Sequence, residues 1–286
     1  MKRLLLSALF TALFACSAAG QTLQLPPTAT AGSGLSIPTS GSGSATLYVF
    51  GPATAIKKTV QLGQPVQLEG DQVKAAGRYT VVLKGGDNAT GTFFVVPDKV
   101  SDIAFLARPS RVPASSPDAI SGSAFLFDTN DNLVLTPTPV KFELTVAGGA
   151  PVTRTETSKN GIAWVRLGSG KKAGAAQFVV TAGSGDVKRV VLATASDPCN
   201  LRMHAAPDKN GDVLLETDPV KDCSGNPVPD GTIVTFSATD ATGRSTVDAK
   251  LRRGVAKAVL PATQGALLSV ASGVVVGNEI KWKGAQ

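Results

Sequence analysis

The chain has 286 residues, 43% hydrophobic but only 5% aromatic, with 30 Gly and 18 Pro and a formal charge of +7. Gly and Pro at that density exclude an architecture of long helices and fit many short strands joined by turns. Basic residues stand singly or in pairs (Lys57-Lys58, Lys171-Lys172, Arg252-Arg253) with no interleaved aromatics, which argues against a nucleic-acid partner.

Residues 1–20 read as an export signal. Lys2 and Arg3 form a basic start, Leu4 to Ala15 is apolar apart from Ser7 and Thr11, and small residues follow at Ser17, Ala18, Ala19 and Gly20. The apolar run is shorter than the ~20 residues of a membrane-spanning helix. Two processing routes fit. Cleavage after Ala19 or Gly20 releases a soluble protein, whereas Leu13-Phe14-Ala15-Cys16 resembles a bacterial lipobox, in which Cys16 becomes the lipidated first residue. In the second route the lipid anchor is the only membrane attachment, because no later stretch reaches the ~18 consecutive apolar residues of a span. Residues 21–44 are dense in Gly, Ser, Thr and Pro and read as a flexible linker.

Residues 45–98 read as a small β-domain. Thr46–Phe50, Thr59–Leu62, Arg78–Leu83 and Thr92–Val96 are β-prone runs divided by turn residues. Ala76-Gly77-Arg78-Tyr79-Thr80-Val81 resembles the late strand of immunoglobulin-like domains, where a tyrosine fastens a corner. An ordinary edge tyrosine after a turn glycine fits the same residues.

Residues 99–196 form a clearer module. Lys141 to Val146 alternates polar and apolar, which turns Phe142, Leu144 and Val146 to one buried face. Asn160-Gly161 marks a tight turn. Ala163, Val165 and Leu167 form a second inward set, and Phe178, Val180 and Ala182 a third. Residues 197–286 repeat this pattern. Asp222, Asn226, Val234 and Phe236 match Asp128, Asn132, Val140 and Phe142 at an offset of 94. Ala256, Ala258 and Leu260 match Ala163, Val165 and Leu167 at 93, and Leu268, Val270 and Ser272 match Phe178, Val180 and Ala182 at 90. The offset changes only between strands, as differing loop lengths require.

The second copy carries Asp222, Gly225, Asn226, Pro227, Val228, Val234, Phe236, Gly254, Ala256, Gly265 and Val270. That pattern resembles the bacterial immunoglobulin-like modules of the invasin and intimin type. Ser272 stands where the pattern has Ala. The resemblance is good over about 90 residues of the second copy, fair in the first and weak in residues 45–98. It implies an all-β fold, tandem immunoglobulin-like β-sandwiches after a cleaved signal. The outer-membrane barrel and receptor-binding tip of the large members have no room here, so adhesion is not inherited with the fold.

Individual residues narrow the chemistry further. Cys199 opens the second copy's first strand and Cys223 closes its second, so antiparallel pairing brings them together as a disulfide, which export permits. Closing that loop stabilises by about 3 kcal/mol in the chain-entropy model. His204 is the single histidine, so any histidine-based catalytic device must use it; a strand histidine is the plainer reading. Asp128 to Asn132 and Asp208 to Asp212 space oxygen ligands alternately, as calcium loops do, but lack the sixth-position Gly and twelfth-position Glu, so both read as turns. Trp164 is out of phase with its inward neighbours and faces outward, to a ligand or, preferentially, to a neighbouring module; Trp282 lies on the last strand. No cofactor, metal or catalytic set is implied. The whole reads as a non-enzymatic exported protein of the periplasm, cell surface or medium. Its role would be spacer, scaffold or adhesion module, meeting a protein or glycan at the surface. The alternative is a carbohydrate- or polymer-binding accessory protein using Trp164.

Overall fold

A computed structural model of the chain describes residues 22–85 and 87–284. The export signal and Cys16 lie outside the described residues. The chain forms two compact units: the first runs to Lys99 and includes Asp128–Val134, and the second holds Val100–Phe127 and Leu135–Gln286.

The first unit contains β1 (Thr28–Thr30), β2 (Leu35–Ile37), β3 (Ser44–Gly51), β4 (Thr54–Gln61), β5 (Val66–Leu68), β6 (Gly77–Lys84) and β7 (Ala89–Val96), with one 3-10 turn at Gly70–Val73. One sheet runs β1-β7-β6-β3-β4 and the other is β2-β5. Between them lie Ile37, Leu47, Val81, Leu83, Tyr79 and Phe93, all fully buried. The Tyr79 hydroxyl donates to the Ala75 carbonyl at 3.0 Å, four residues upstream, so this residue is the corner-fastening tyrosine and not an edge residue. Gly51 makes room for its ring, since a Cβ there would lie 2.3 Å from it.

The linker expected at residues 21–44 is corrected here. β1 lies parallel to β7, and β2 pairs antiparallel with β5. Leu23 bridges Thr39, and the Thr22 amide donates to the Ser40 hydroxyl. Ala31 and Ile37 enter the core. Strands of three residues are too short to show a period against a Gly/Ser background, and parallel pairing with β7 is a long-range match that local composition does not record.

The second unit holds two sandwiches in succession. The first comprises β8 (Asp102–Arg108), β9 (Arg111–Pro113), β10 (Ile120–Phe127), β11 (Pro139–Val146), β12 (Val152–Thr157), β13 (Ile162–Leu167), β14 (Gly174–Ala182) and β15 (Gly185–Thr194). The next comprises β16 (Met203–Pro207), β17 (Val213–Thr217), β18 (Ile233–Asp240), β19 (Gly243–Lys250), β20 (Lys257–Leu260), β21 (Leu267–Ser272) and β22 (Val275–Lys281). Sheet orders repeat: β13-β10-β8 corresponds to β20-β17-β16, and β12-β11-β14-β15 to β19-β18-β21-β22, with β9 added parallel to β15 in the first sandwich.

The register repeats with the order. Phe142 lies opposite Val180, and Phe236 opposite Val270, although the sequence offset differs between the two strands. Both phenylalanines are fully buried. Truncating either to Ala would cost about 3–5 kcal/mol, the usual loss for a buried phenyl ring. Phe105 packs edge-on to Phe178 with ring centres 5.0 Å apart, and Gly122 on β10 leaves space for both rings.

Candidate interaction surface

The alternation that buries Ala163, Val165 and Leu167 turns Ile162, Trp164 and Arg166 out of β13. β10 and β8 extend each of these positions into a row across the outer face. Ile162 pairs with Phe125 and Phe125 with Ala104; Trp164 pairs with Ser123 and Ser123 with Leu106; Arg166 pairs with Ser121 and Ser121 with Arg108. Trp164 is 63% exposed and Leu106 48%. Within the second unit the Trp164 indole is largely open to solvent.

Beside this face, edge strands β12 and β13 flank an open groove of about 520 Å³ lined by Arg154, Glu156, Lys159, Trp164, Arg166 and Asp118. Asp118 and Arg166 also line an adjoining hollow with Arg108. Among the described residues none of Arg108, Arg154, Lys159 and Arg166 makes a salt bridge.

The next sandwich supplies an internal comparison. The row equivalent to Trp164–Ser123–Leu106 is Lys257–Glu216–His204. There Lys257 pairs with Glu216 at 2.9 Å, and His204 Nε2 meets Asp218 at 2.8 Å. The fold is satisfied by a neutralised polar row at this place, so the aromatic row is not a requirement of folding. It also gives His204 its place, an exposed strand residue bonded to a surface carboxylate.

The remaining singled-out residues sit at turns and junctions. Cys199 and Cys223 are bonded to each other, and the Cys199 amide donates to the Lys221 carbonyl at 3.0 Å. Asp208 to Asp212 is the β16–β17 hairpin turn, closed by the Asp208 amide on the Asp212 carbonyl. The Asp222 carboxylate accepts from the amides of Ser224, Asn226 and Ser196 and from the Asn226 side chain. Asp128 is used the same way, by Asn130, Asn132 and Asp98. Their oxygens hold a turn together, which is the Asx geometry these residues favour. Burial pulls both carboxyls upward, but the hydrogen bonds from Asn226 and Ser196, or Asn132 and Asp98, outweigh it and hold each below the ordinary carboxylate range.

Sequence reasoning missed what the asparagines of these turns do. Asn226 Nδ2 donates to the Lys171 carbonyl at 2.7 Å, and Asn226 Oδ1 accepts from the Ala173 amide at 2.8 Å. Lys171 and Ala173 belong to the preceding sandwich, so one amide side chain clamps two sandwiches of the second unit. The Ser115 and Ser224 hydroxyls bond across the same junction. Within the first unit Asn132 makes the same pair of bonds, to the Lys74 carbonyl at 2.8 Å and from the Ala76 amide at 2.7 Å. A signal existed: Lys74, Ala76 and Gly77 match Lys171, Ala173 and Gly174 at an offset of 97.

No protein-family model and no curated protein matches the sequence. Among solved structures, the Escherichia coli adhesin FdeC aligns with a TM-score of 0.63 and 19% identity over 92% of this chain and 96% of that one. InvD of Yersinia pseudotuberculosis aligns with a TM-score of 0.52 and 12% identity over 93% and 98%. Invasin, a bacterial integrin-binding protein, aligns with a TM-score of 0.48 and 11% identity over 92% of this chain and 60% of that one.

The fold is that of bacterial immunoglobulin-like modules. The strand residues that suggested the resemblance occupy matching places in the two immunoglobulin-like modules of the second unit, with Val234, Phe236, Ala256 and Val270 in the core of the last one and Asp222 and Asn226 at the junction. At these identities the likeness concerns the fold.

Proposed function

We propose that this chain is a non-enzymatic exported protein of the cell envelope, whose immunoglobulin-like modules act as spacer and adhesion module. The observation that carries the reading is the clamped junction. Asn226 and Asp222 tie the last module to Lys171, Ala173 and Ser196, where a free linker would leave it to swing. A protein that presents a surface at a set distance needs such joints. Two further features support it. A disulfide suits an oxidising compartment outside the cytosol, and FdeC, of similar fold, is described as an adhesin.

Fractionation of cells expressing the full chain tests the proposal. The protein is expected in the envelope or the medium, with Cys199 and Cys223 oxidised. Recovery in the cytosol with both thiols alkylatable would overturn it. Mass measurement of the mature N-terminus then separates an acylated Cys16 from cleavage after Ala19 or Gly20.

A further inference from the structure

We propose that the outer face of β8, β10 and β13, centred on Trp164, binds a carboxylated polysaccharide, a chain of hydroxyl-rich sugars bearing uronic-acid groups. This deepens the adhesion reading above and rests on it for its setting. Three observations select the ligand. The indole is a flat apolar plate, 63% exposed and continued by Leu106 and Ile162, on which the apolar face of a sugar ring can lie. Arg154, Lys159 and Arg166 share its groove and Arg108 lines the adjoining hollow, none with a salt-bridge partner among the described residues. A guanidinium fork matches a carboxylate in two parallel hydrogen bonds. Asp118 and Glu156 lie in the same groove and offer acceptors to sugar hydroxyls.

This mixture argues against other partners. The core of a protein–protein interface is depleted of charge, whereas this groove carries five charged side chains around one aromatic. Single-stranded DNA would stack on Trp164 and meet the cations, but its deoxyribose-phosphate backbone offers Asp118 and Glu156 no hydroxyl donor. A fully sulfated sugar chain has lost the hydroxyls those carboxylates would hold. The equivalent Lys257–Glu216–His204 row of the last module is neutralised internally and serves as the control face.

Titration of the intact chain with polygalacturonate, dextran, dextran sulfate and oligo-dT tests the proposal. Tryptophan emission is an added readout, since Trp164 is open and Trp282 is buried. Polygalacturonate is expected to bind and to shield Trp164 from acrylamide. Trp164→Ala should weaken that binding tenfold or more, and Trp164→Phe should restore much of it. The double variant Arg108→Gln/Arg166→Gln should weaken it and flatten its salt dependence, and Lys257→Ala should leave it unchanged. Thermal melts of each variant separate misfolding from lost contacts. The proposal is overturned if polygalacturonate binds no better than dextran, if dextran sulfate or oligo-dT binds more tightly, or if folded Trp164→Ala binds like the parent. Because purified ligand reads the face and fractionation reads export, failure of one is distinct from failure of the other.

Discussion

Replacing Asn226 by alanine removes the amide clamp between the two modules of the second unit while leaving their cores and the Ser115–Ser224 and Ser196–Asp222 bonds in place. Three hydrogen bonds go: to the Lys171 carbonyl, from the Ala173 amide, and to the Asp222 carboxylate. Each contributes about 1 kcal/mol net. The Lys171 carbonyl is on an exposed residue and regains water, whereas the Ala173 amide is half-buried and recovers less. The loss should therefore be about 2 kcal/mol, spread over the junction and the Asp222 turn. Nitroxide labels on Lys188→Cys and Val274→Cys, one in each module and both on exposed positions, report the joint. With the native cysteines oxidised, the parent should give a narrow distance distribution and Asn226→Ala a broad one. Chemical unfolding of the same proteins reads the stability. An unchanged distribution together with a loss below about 0.5 kcal/mol, the range of ordinary surface substitutions, would refute the clamp.

Other consequences follow from single residues. Gly122→Ala would place a Cβ 2.7 Å from the Phe178 ring and 3.1 Å from Phe105; overpacking of this kind costs about 1–3 kcal/mol, read as a lower midpoint in urea. Reducing Cys199–Cys223, which closes a separation of 24 residues, should cost about 3 kcal/mol, seen as a downward shift of the last module's thermal transition with reductant. The Asp128 and Asp222 carboxyls lie below their ordinary range when folded, so the stability they contribute is fully present above the unfolded value of about 3.9 and is lost as pH falls through the folded value. Stability should fall below about pH 4, and Asp222→Asn should make that fall shallower.

Much of the second unit was legible because a period of two needs no knowledge of partners. Ala163, Val165 and Leu167 declare one face by alternation alone, and their counterparts at 256, 258 and 260 declare it again. The disulfide was legible as a pairing, but its place was not: Cys199 and Cys223 stand outside β16 and β17, on the flanking segments that the Pro198–Asp222 bridge joins, and not at the strand ends expected from the sequence. Residues 22–44 were misread because composition speaks for flexibility, while β1 and β2 are held by partners on β7 and β5. The junction was hidden for a similar reason: Asn226 meets residues 53 and 55 positions away, and nothing near it in sequence says so. Trp164's outward phase was readable, but its contrast with the paired Lys257–Glu216–His204 row needed the strand register.

The two modules of the second unit share one strand register. Cross-strand backbone contacts by nuclear magnetic resonance read this directly. Phe142 should lie opposite Val180, and Phe236 opposite Val270. A slip of one residue in either pair would turn that phenylalanine to solvent and contradict the equivalence on which the junction and the Trp164 comparison depend.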